Sequence, residues 1–253
     1  MRILVVVPVA VDEEGVARRA AQVPDALRAE VEVVYRSVKR GPVLFDSEHD
    51  SLVADFFCYE AGITAEEEGF DAVCVDTTSD SGIAALKSRL SIPVVGPGES
   101  SYHLALILGK KFSILTLSRE WEHTNWSDVI KAGFGPACVS VRSVDVEPDL
   151  DELLTGQEDE LFPALLQAAE ACVSEDGADV IILGSTTMHE AHDYLAEHLN
   201  VPVVNPGVAS LWMAYVLVQA GLAQSKHAYP TPKAPQDAAF AAAAEAAAST
   251  GVG

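Results

Sequence analysis

An internal duplication restricts the fold of this chain more than any other feature of its sequence. Residues 70–80 match residues 178–188 in pattern, 108 positions later. Residues 92–98 and 201–207 share the letters Pro-Val-Val and Pro-Gly at a spacing of 109. Landmarks that recur in the same order at nearly one spacing predict two similar lobes, because a period of this length is too long for a solenoid repeat.

Each lobe alternates apolar runs with helical stretches. Continuous β-branched runs between helices are typical of parallel sheets covered on both faces. The sequence therefore predicts an α/β fold with two similar lobes, parallel sheets flanked by helices, and a pseudo-two-fold relation between the lobes. The predicted strands are 2–8, 31–36, 71–76, 93–96, 112–117, 138–144, 179–184 and 202–204. The predicted helices are 13–29, 48–68, 82–90, 99–109, 121–132, 157–175, 188–198, 207–220 and 237–248.

The domain division follows from the repeat. We expect lobe one to span 1–110 and lobe two 111–206, followed by a C-terminal tail over 221–253. The apolar helix 207–220 is predicted to pack back on lobe one, and its residues 209–220 could also supply the interface of a homo-oligomer.

Charge and cysteine content exclude several classes of partner. Sixteen Lys and Arg residues against thirty-eight Asp and Glu residues give a net charge of −22, which repels nucleic acid and anionic membrane surfaces. No apolar run approaches the roughly 20 residues that span a bilayer. The four cysteines are far apart without a CxxC pair, so we expect no zinc site, no disulfide framework and a cytoplasmic location. No Gly-rich phosphate motif is present, so no nucleotide cofactor is implied.

Two hydroxyl-rich segments follow buried strands and open helices. They are residues 76–82 and 184–190, one in each lobe. Ligands of open parallel sheets collect beyond the carboxyl ends of the strands, so we expect both loops to face a site between the lobes. The alternative is simple helix capping, for which Thr187 and Glu190 have the spacing of a capping box.

The sequence resembles the aspartate/glutamate/hydantoin racemase superfamily, most closely its hydantoin and allantoin racemase branch. The resemblance spans nearly the whole chain and rests on motifs in collinear order. These are residues 2–8, 41–42, the two strand-end loops, 93–99, 111–116, 205–209 and 221–230. The resemblance implies a racemase-like fold, a small-molecule substrate, and catalysis without pyridoxal phosphate or a metal ion.

The resemblance also implies a cysteine in each loop, one thiolate removing the proton from the substrate and the other thiol returning one. The matching positions here are Thr77 and Ser185, which we take as the candidate catalytic residues. A hydroxyl is a far weaker acid than a thiol and does not act as a base unaided. The candidate substrate-binding residues are Pro8, Thr78, Ser79, Asp80, Thr116, Thr186, Thr187 and His189.

Three explanations of the missing thiols remain open. In the first, the hydroxyls and backbone N–H groups form an anion pocket while Asp76, Asp80, His189 or Glu190 moves the proton. In the second, Ser185 is an engineered replacement of a cysteine, and a single thiol opposite Thr77 suits a one-sided lyase or decarboxylase. In the third, catalysis is lost and a ligand-binding protein remains.

The favoured function is a cofactor-independent isomerase or racemase that acts at the carbon next to a carbonyl or carboxylate. The substrate classes that the resemblance implies are hydantoins, ureides and acidic amino acids. The expected partner is thus a small molecule, a carboxylate or a cyclic amide, without a metal.

Overall fold

The computed structural model describes residues 1–42, 44–146 and 161–250, and its contacts divide the chain into two compact units. The first unit comprises Met1–Val43, Glu48–Gly96 and Ser210–Gly253, and the second comprises Leu44–Ser47 and Pro97–Ala209. The sequence division differs in three places. It assigned residues 44–47 and residues 97–110, which include a predicted helix, to lobe one, and it left residues 207–209 outside lobe two, whereas all three segments belong to the second unit. In the structure the Tyr102 ring stacks on Phe112 at 5.7 Å, which joins this helix to the second sheet.

The first unit contains a four-stranded parallel sheet with the order β2-β1-β3-β4. Both faces of this sheet are buried, because alternate residues of β1 and β3 enter two separate apolar clusters. Its elements are β1 (Arg2–Val7), α1 (Glu13–Ala21), α2 (Asp25–Arg28), β2 (Glu32–Ser37), α3 (Glu48–Gly62), β3 (Ala72–Val75), α4 (Ile83–Arg89) and β4 (Val94–Val95).

The second unit repeats this arrangement with the strand order β6-β5-β7-β8, again entirely parallel. Its elements are α5 (Pro97–Leu108), β5 (Phe112–Thr116), α6 (Glu120–Lys131), β6 (Cys138–Ser143), α7 (Phe162–Ser174), β7 (Val180–Leu183), a 3₁₀ helix (Thr186–Glu190), α8 (Ala191–His198) and β8 (Val203–Val204). The same strand order in both units confirms the predicted α/β fold with two parallel sheets flanked by helices.

Several predicted helix bounds were wrong, for local reasons. Residues 13–29 form two helices rather than one, because Pro24 has no N–H for a continuous helical ladder and α2 begins after it. The helix predicted over 48–68 ends at Gly62. The first four residues of the helix predicted over 157–175 lie outside the described residues, and the remainder matches α7.

The C-terminal residues complete the first unit. Helix α9 (Pro206–Gln219) places Leu211 and Ala214 in the apolar cluster that also contains Ile3, Val5 and Val7, which we call the cluster under β1. Lys226 Nζ then donates to the carbonyl oxygens of Lys87 at 2.8 Å and Leu90 at 2.5 Å, at the C-terminal end of α4. Helix α10 (Asp237–Ser249) covers α3, with the ring of its Phe240 lying 4.8 Å from the Tyr59 ring. No helix in the described part of the chain is long and apolar enough to cross a membrane.

Gly41 permits a close approach of two backbone segments beside Pro8. A Cβ added at Gly41 would lie 2.3 Å from the Pro8 carbonyl oxygen and 3.1 Å from the Val9 Cα. We therefore expect Gly41→Ala to lower the free energy of unfolding by roughly 3 kcal/mol, the upper range for overpacking. Urea unfolding followed by circular dichroism measures this. Gly135→Ala is the control, because its added Cβ would be no closer than 3.4 Å to any neighbour. Equal losses in the two variants would contradict the prediction.

Candidate functional site

The loop after β3 is held by a chain of hydroxyl contacts. Thr77 Oγ1 lies 2.9 Å from Ser79 Oγ and accepts a long hydrogen bond of 3.4 Å from the Ser79 N–H. Ser79 Oγ in turn lies 3.0 Å from Ser81 Oγ. Thr78 is partly buried within the same loop. The side-chain oxygen of residue 77 is therefore the acceptor in a short turn, as is typical of Ser and Thr at such positions.

Asp80 and two glycines set the far end of this loop. Asp80 has a positive φ of 55°, and Gly82, before the first residue of α4, has a φ of 73°. A Cβ added at Gly96 would lie 2.3 Å from the Asp80 carboxyl carbon, so this carboxylate lies directly against the backbone that follows β4. The Gly82 N–H donates to Asp55 Oδ1 at 2.8 Å. These contacts fix the backbone conformation of the loop and place Asp80 beside the end of β4.

A buried polar cluster lies at the start of the same loop, and of its members only Asp76 was named from the sequence, as one of four candidates for moving the proton. Asp76 accepts hydrogen bonds from Arg19 Nε at 2.6 Å and from Gln22 Nε2 at 3.3 Å. Burial raises the pKa of the adjacent Tyr35, and the Asp76 carboxylate raises it further. The one signal in the sequence is that Arg19 and Gln22 stand three residues apart in the α1 region, and thus on one helical face.

The loop after β7 repeats the hydroxyl turn. Ser185 accepts a hydrogen bond from the Thr187 N–H at 3.2 Å, and its Oγ lies 2.8 Å from Thr187 Oγ1. Ser185 is the cap of the 3₁₀ helix, so the capping box anticipated at Thr187 and Glu190 was wrong. The cap forms earlier because the chain turns directly after Gly184, whose N–H still bonds to Leu115 O at 2.7 Å.

Other predicted site residues of the second unit lie around Ser185. Thr116 is fully buried, and its Oγ1 has no hydrogen-bond partner among the described residues. A Cβ at Gly184 would lie 3.0 Å from the Thr116 Cβ, so this threonine packs against the backbone just before Ser185. Thr186 is buried, and His189 Nε2 lies 4.0 Å from Glu190 Oε1. The structure thus groups Thr116, Ser185, Thr186, Thr187 and His189 at the strand ends of this unit.

The cysteines do not supply a thiol to either loop. All four are buried, and burial raises the pKa of each thiol, to about 12 for Cys74 and for Cys138. Cys74 belongs to the apolar cluster under β1, and its thiol donates to the Ser210 carbonyl oxygen at 3.7 Å. A thiol that stays protonated at neutral pH is not a base or a nucleophile.

The comparisons with known proteins agree with this architecture. The model of the Asp/Glu/hydantoin racemase family matches residues 14–214. The chain belongs to that family. It is 31% identical to a hydantoin racemase of Pseudomonas sp. (strain NS671), over 82% of this chain and 84% of the relative. It is 33% identical to a hydantoin racemase of Paenarthrobacter aurescens, over 76% of this chain and 81% of the relative.

Two solved structures superpose on the chain. An allantoin racemase from Pseudomonas fluorescens has a TM-score of 0.82 and 28% identity, covering 93% of this chain and 99% of that one. Arylmalonate decarboxylase has a TM-score of 0.61 at 17% identity, covering 87% of this chain and 94% of that one, which indicates a shared fold alone.

Proposed function

We propose that this racemase-family chain is a cofactor-independent enzyme that exchanges the proton on the carbon next to a carbonyl of a small cyclic amide of the hydantoin class. The observation that carries the proposal is the identity of 31% to a hydantoin racemase over 82% of the chain. The presence of a hydroxyl turn at the corresponding strand end of each unit supports it.

The hydroxyl loops are suited to stabilising negative charge on oxygen. When a base takes the proton, the electron pair of the C–H bond moves to the carbonyl oxygen and forms an enolate. A hydroxyl such as that of Thr77 or that of Ser185 can donate a hydrogen bond to such an oxygen, which is the usual role of an oxyanion-site donor. Reprotonation of the carbon on the other face completes racemisation, and on the same face it returns the substrate.

The proton carriers in this proposal are Asp80 and His189. Asp76 is less suited, because both of its carboxylate oxygens already accept hydrogen bonds from side chains of the α1 region. Asp80 is partly buried in the first loop, and His189 has a side-chain exposure of 18% in the second. Carboxylate and imidazole are the side chains most used as general bases.

The test is proton exchange in deuterated buffer with single enantiomers of 5-substituted hydantoins, allantoin, aspartate, glutamate and an aryl malonate. ¹H NMR follows loss of the C–H signal and circular dichroism follows the optical activity. Labelling with loss of optical activity identifies a racemase, and labelling on one face or release of CO₂ identifies a lyase or decarboxylase. Binding without any labelling identifies a ligand-binding protein and overturns the proposal.

Two variants test whether the hydroxyls of the two loops contribute to any proton exchange that is observed. We expect Ser185→Ala and Thr77→Val each to slow exchange about 100-fold, the usual loss for one oxyanion donor. Ser174→Ala is the control, because Ser174 is exposed at the end of α7 and bonds only within that helix. Unchanged rates in both loop variants would assign the reaction to other residues.

A further inference from the structure

A buried ion pair lies immediately before Thr77 and takes no part in the proton transfer proposed above. Arg19 Nε and Asp76 Oδ2 are 2.6 Å apart, with side-chain exposures of only 8% and 2%. Gln22 binds the other carboxylate oxygen. Arg19 lies in the last turn of α1 and Gln22 directly follows that helix, so two side chains from one end of α1 hold the residue that follows β3.

Stability alone is a weak reason for such a pair. Removing two charges from water costs several kcal/mol for each ion, and well-packed apolar side chains in their place are often neutral or stabilising. A buried pair at a strand end is therefore better explained by the geometry that it imposes on the chain there.

We propose that Arg19, Gln22 and Asp76 are positioning residues for Thr77. The Asp76 N–H donates to the Val6 carbonyl oxygen at 2.8 Å, which makes Asp76 the last hydrogen-bonded link between β1 and β3. With its backbone tied to the sheet and its side chain tied to the α1 region, Asp76 sets the direction in which the chain leaves the strand. That direction places Thr77 Oγ1 opposite the Ser79 N–H.

The corresponding strand end of the second unit is built differently. The position that corresponds to Asp76 is Gly184, which has no side chain and is held through its backbone bond to Leu115 and its close contact with Thr116. The loop at Ser185 is therefore set by other means, and it serves as an internal control.

The test uses an engineered thiol as a reporter at residue 77. In Thr77→Cys, the pH profile of the iodoacetamide alkylation rate, read by mass spectrometry, gives the pKa of the new thiol. The four native cysteines are buried, so the protein without the reporter supplies the background. The reporter is then combined with Arg19→Met, Gln22→Met and Asp76→Leu, which together replace the polar cluster by apolar side chains.

We expect the reporter pKa to rise by about one unit in this apolar triple variant. The thiolate fraction at pH 7 then falls roughly tenfold, and alkylation slows about threefold because the more basic thiolate is the better nucleophile. The reason is that the thiolate loses the aligned Ser79 N–H, and a lost hydrogen bond to the charged form raises the pKa of a thiol. The same profile measured on Ser185→Cys should not change. An unchanged profile at residue 77, or an equal shift at both reporters, overturns the proposal.

A second variant covers the case in which the triple variant does not fold. Arg19→Lys keeps the charge but loses the planar guanidinium, so we expect the reporter pKa to rise in the same direction by a smaller amount. An unchanged reporter in folded Arg19→Lys overturns the proposal, and so does failure of both variants to fold, because the cluster would then be a requirement for folding.

The inference rests on the proposed function only in placing residue 77 at the site. If no compound in the panel exchanges, the proposed function fails while the reporter profiles still decide the positioning role. If exchange occurs, the apolar triple variant should lower kcat more than it changes KM, since the loop is misaligned for the reaction rather than removed from the substrate.

Discussion

We expect the double variant Thr77→Cys/Ser185→Cys to exchange the proton of a hydantoin about 10²–10⁴ times faster than the unmodified chain, the range attributed to a well-placed general acid or base. A thiol has a pKa of about 8.5 and is readily tuned towards neutrality, whereas an aliphatic hydroxyl is not. Both turns are suited to a thiolate, because the Ser79 and Thr187 N–H groups are directed at the side chains concerned.

The measurement is the initial rate of C–H loss by ¹H NMR in deuterated buffer, beside a blank without protein. Thr78→Cys/Thr186→Cys is the matched control, since it adds two thiols to the same loops at the neighbouring positions. A comparable gain in this control would show that the thiols act without a defined geometry. A large gain from Ser185→Cys alone would favour the explanation in which Ser185 replaces a cysteine.

The second large effect that we expect is a dependence of thermal stability on salt concentration. The net charge of −22 makes the folded chain repel itself, and this repulsion reaches about 30 Å at 0.01 M salt but only about 3 Å at 1 M. We expect the thermal midpoint to be higher by about 10 °C in 1 M than in 0.01 M sodium chloride, which for a chain of this size corresponds to roughly 3 kcal/mol. Differential scanning calorimetry at a series of salt concentrations measures this.

A charge variant separates screening from the general effect of salt on apolar burial. Glu30 and Glu197 are exposed, and each Glu→Lys change lowers the excess of negative charge by two units. The variant Glu30→Lys/Glu197→Lys should have a higher midpoint at low salt and a smaller salt dependence. Parallel salt curves for the two proteins would be evidence against self-repulsion as the cause.

The strands could be predicted from the sequence because buried parallel strands are continuous runs of β-branched residues. Each predicted strand, for example 112–117 against Phe112–Thr116, lies within one residue of the observed one at both ends. The two hydroxyl loops could be recognised because each follows such a run at the same point of the repeat, and the resemblance to the racemase superfamily then singled out Thr77 and Ser185 within them. These signals are local, and a single sequence carries them.

The parts that the sequence does not predict depend on contacts between distant residues. Arg19 lies in a helix of ordinary amphipathic pattern, and nothing local indicates that its partner is Asp76, which lies 57 positions further on. The assignment of residues 97–109 to the second unit depends on the stacking of Tyr102 on Phe112. The turn between these two residues permits this contact but does not require it. The cap at Ser185 depends on where the backbone turns at the end of β7. Several hydroxyl residues of this loop could serve as the cap, and the sequence does not distinguish between them.

The order of the two units along the chain has a consequence for synthesis on the ribosome. The second unit is almost continuous in sequence, from Pro97 to Ala209, whereas the first needs residues from both ends of the chain. The apolar cluster under β1 is closed by Leu211 and Ala214, and α4 is tied by Lys226. Although it is made before the second unit, the first sheet therefore stays unfinished until residues 211–226 emerge, and the nascent chain must keep its apolar strands from aggregating during that time.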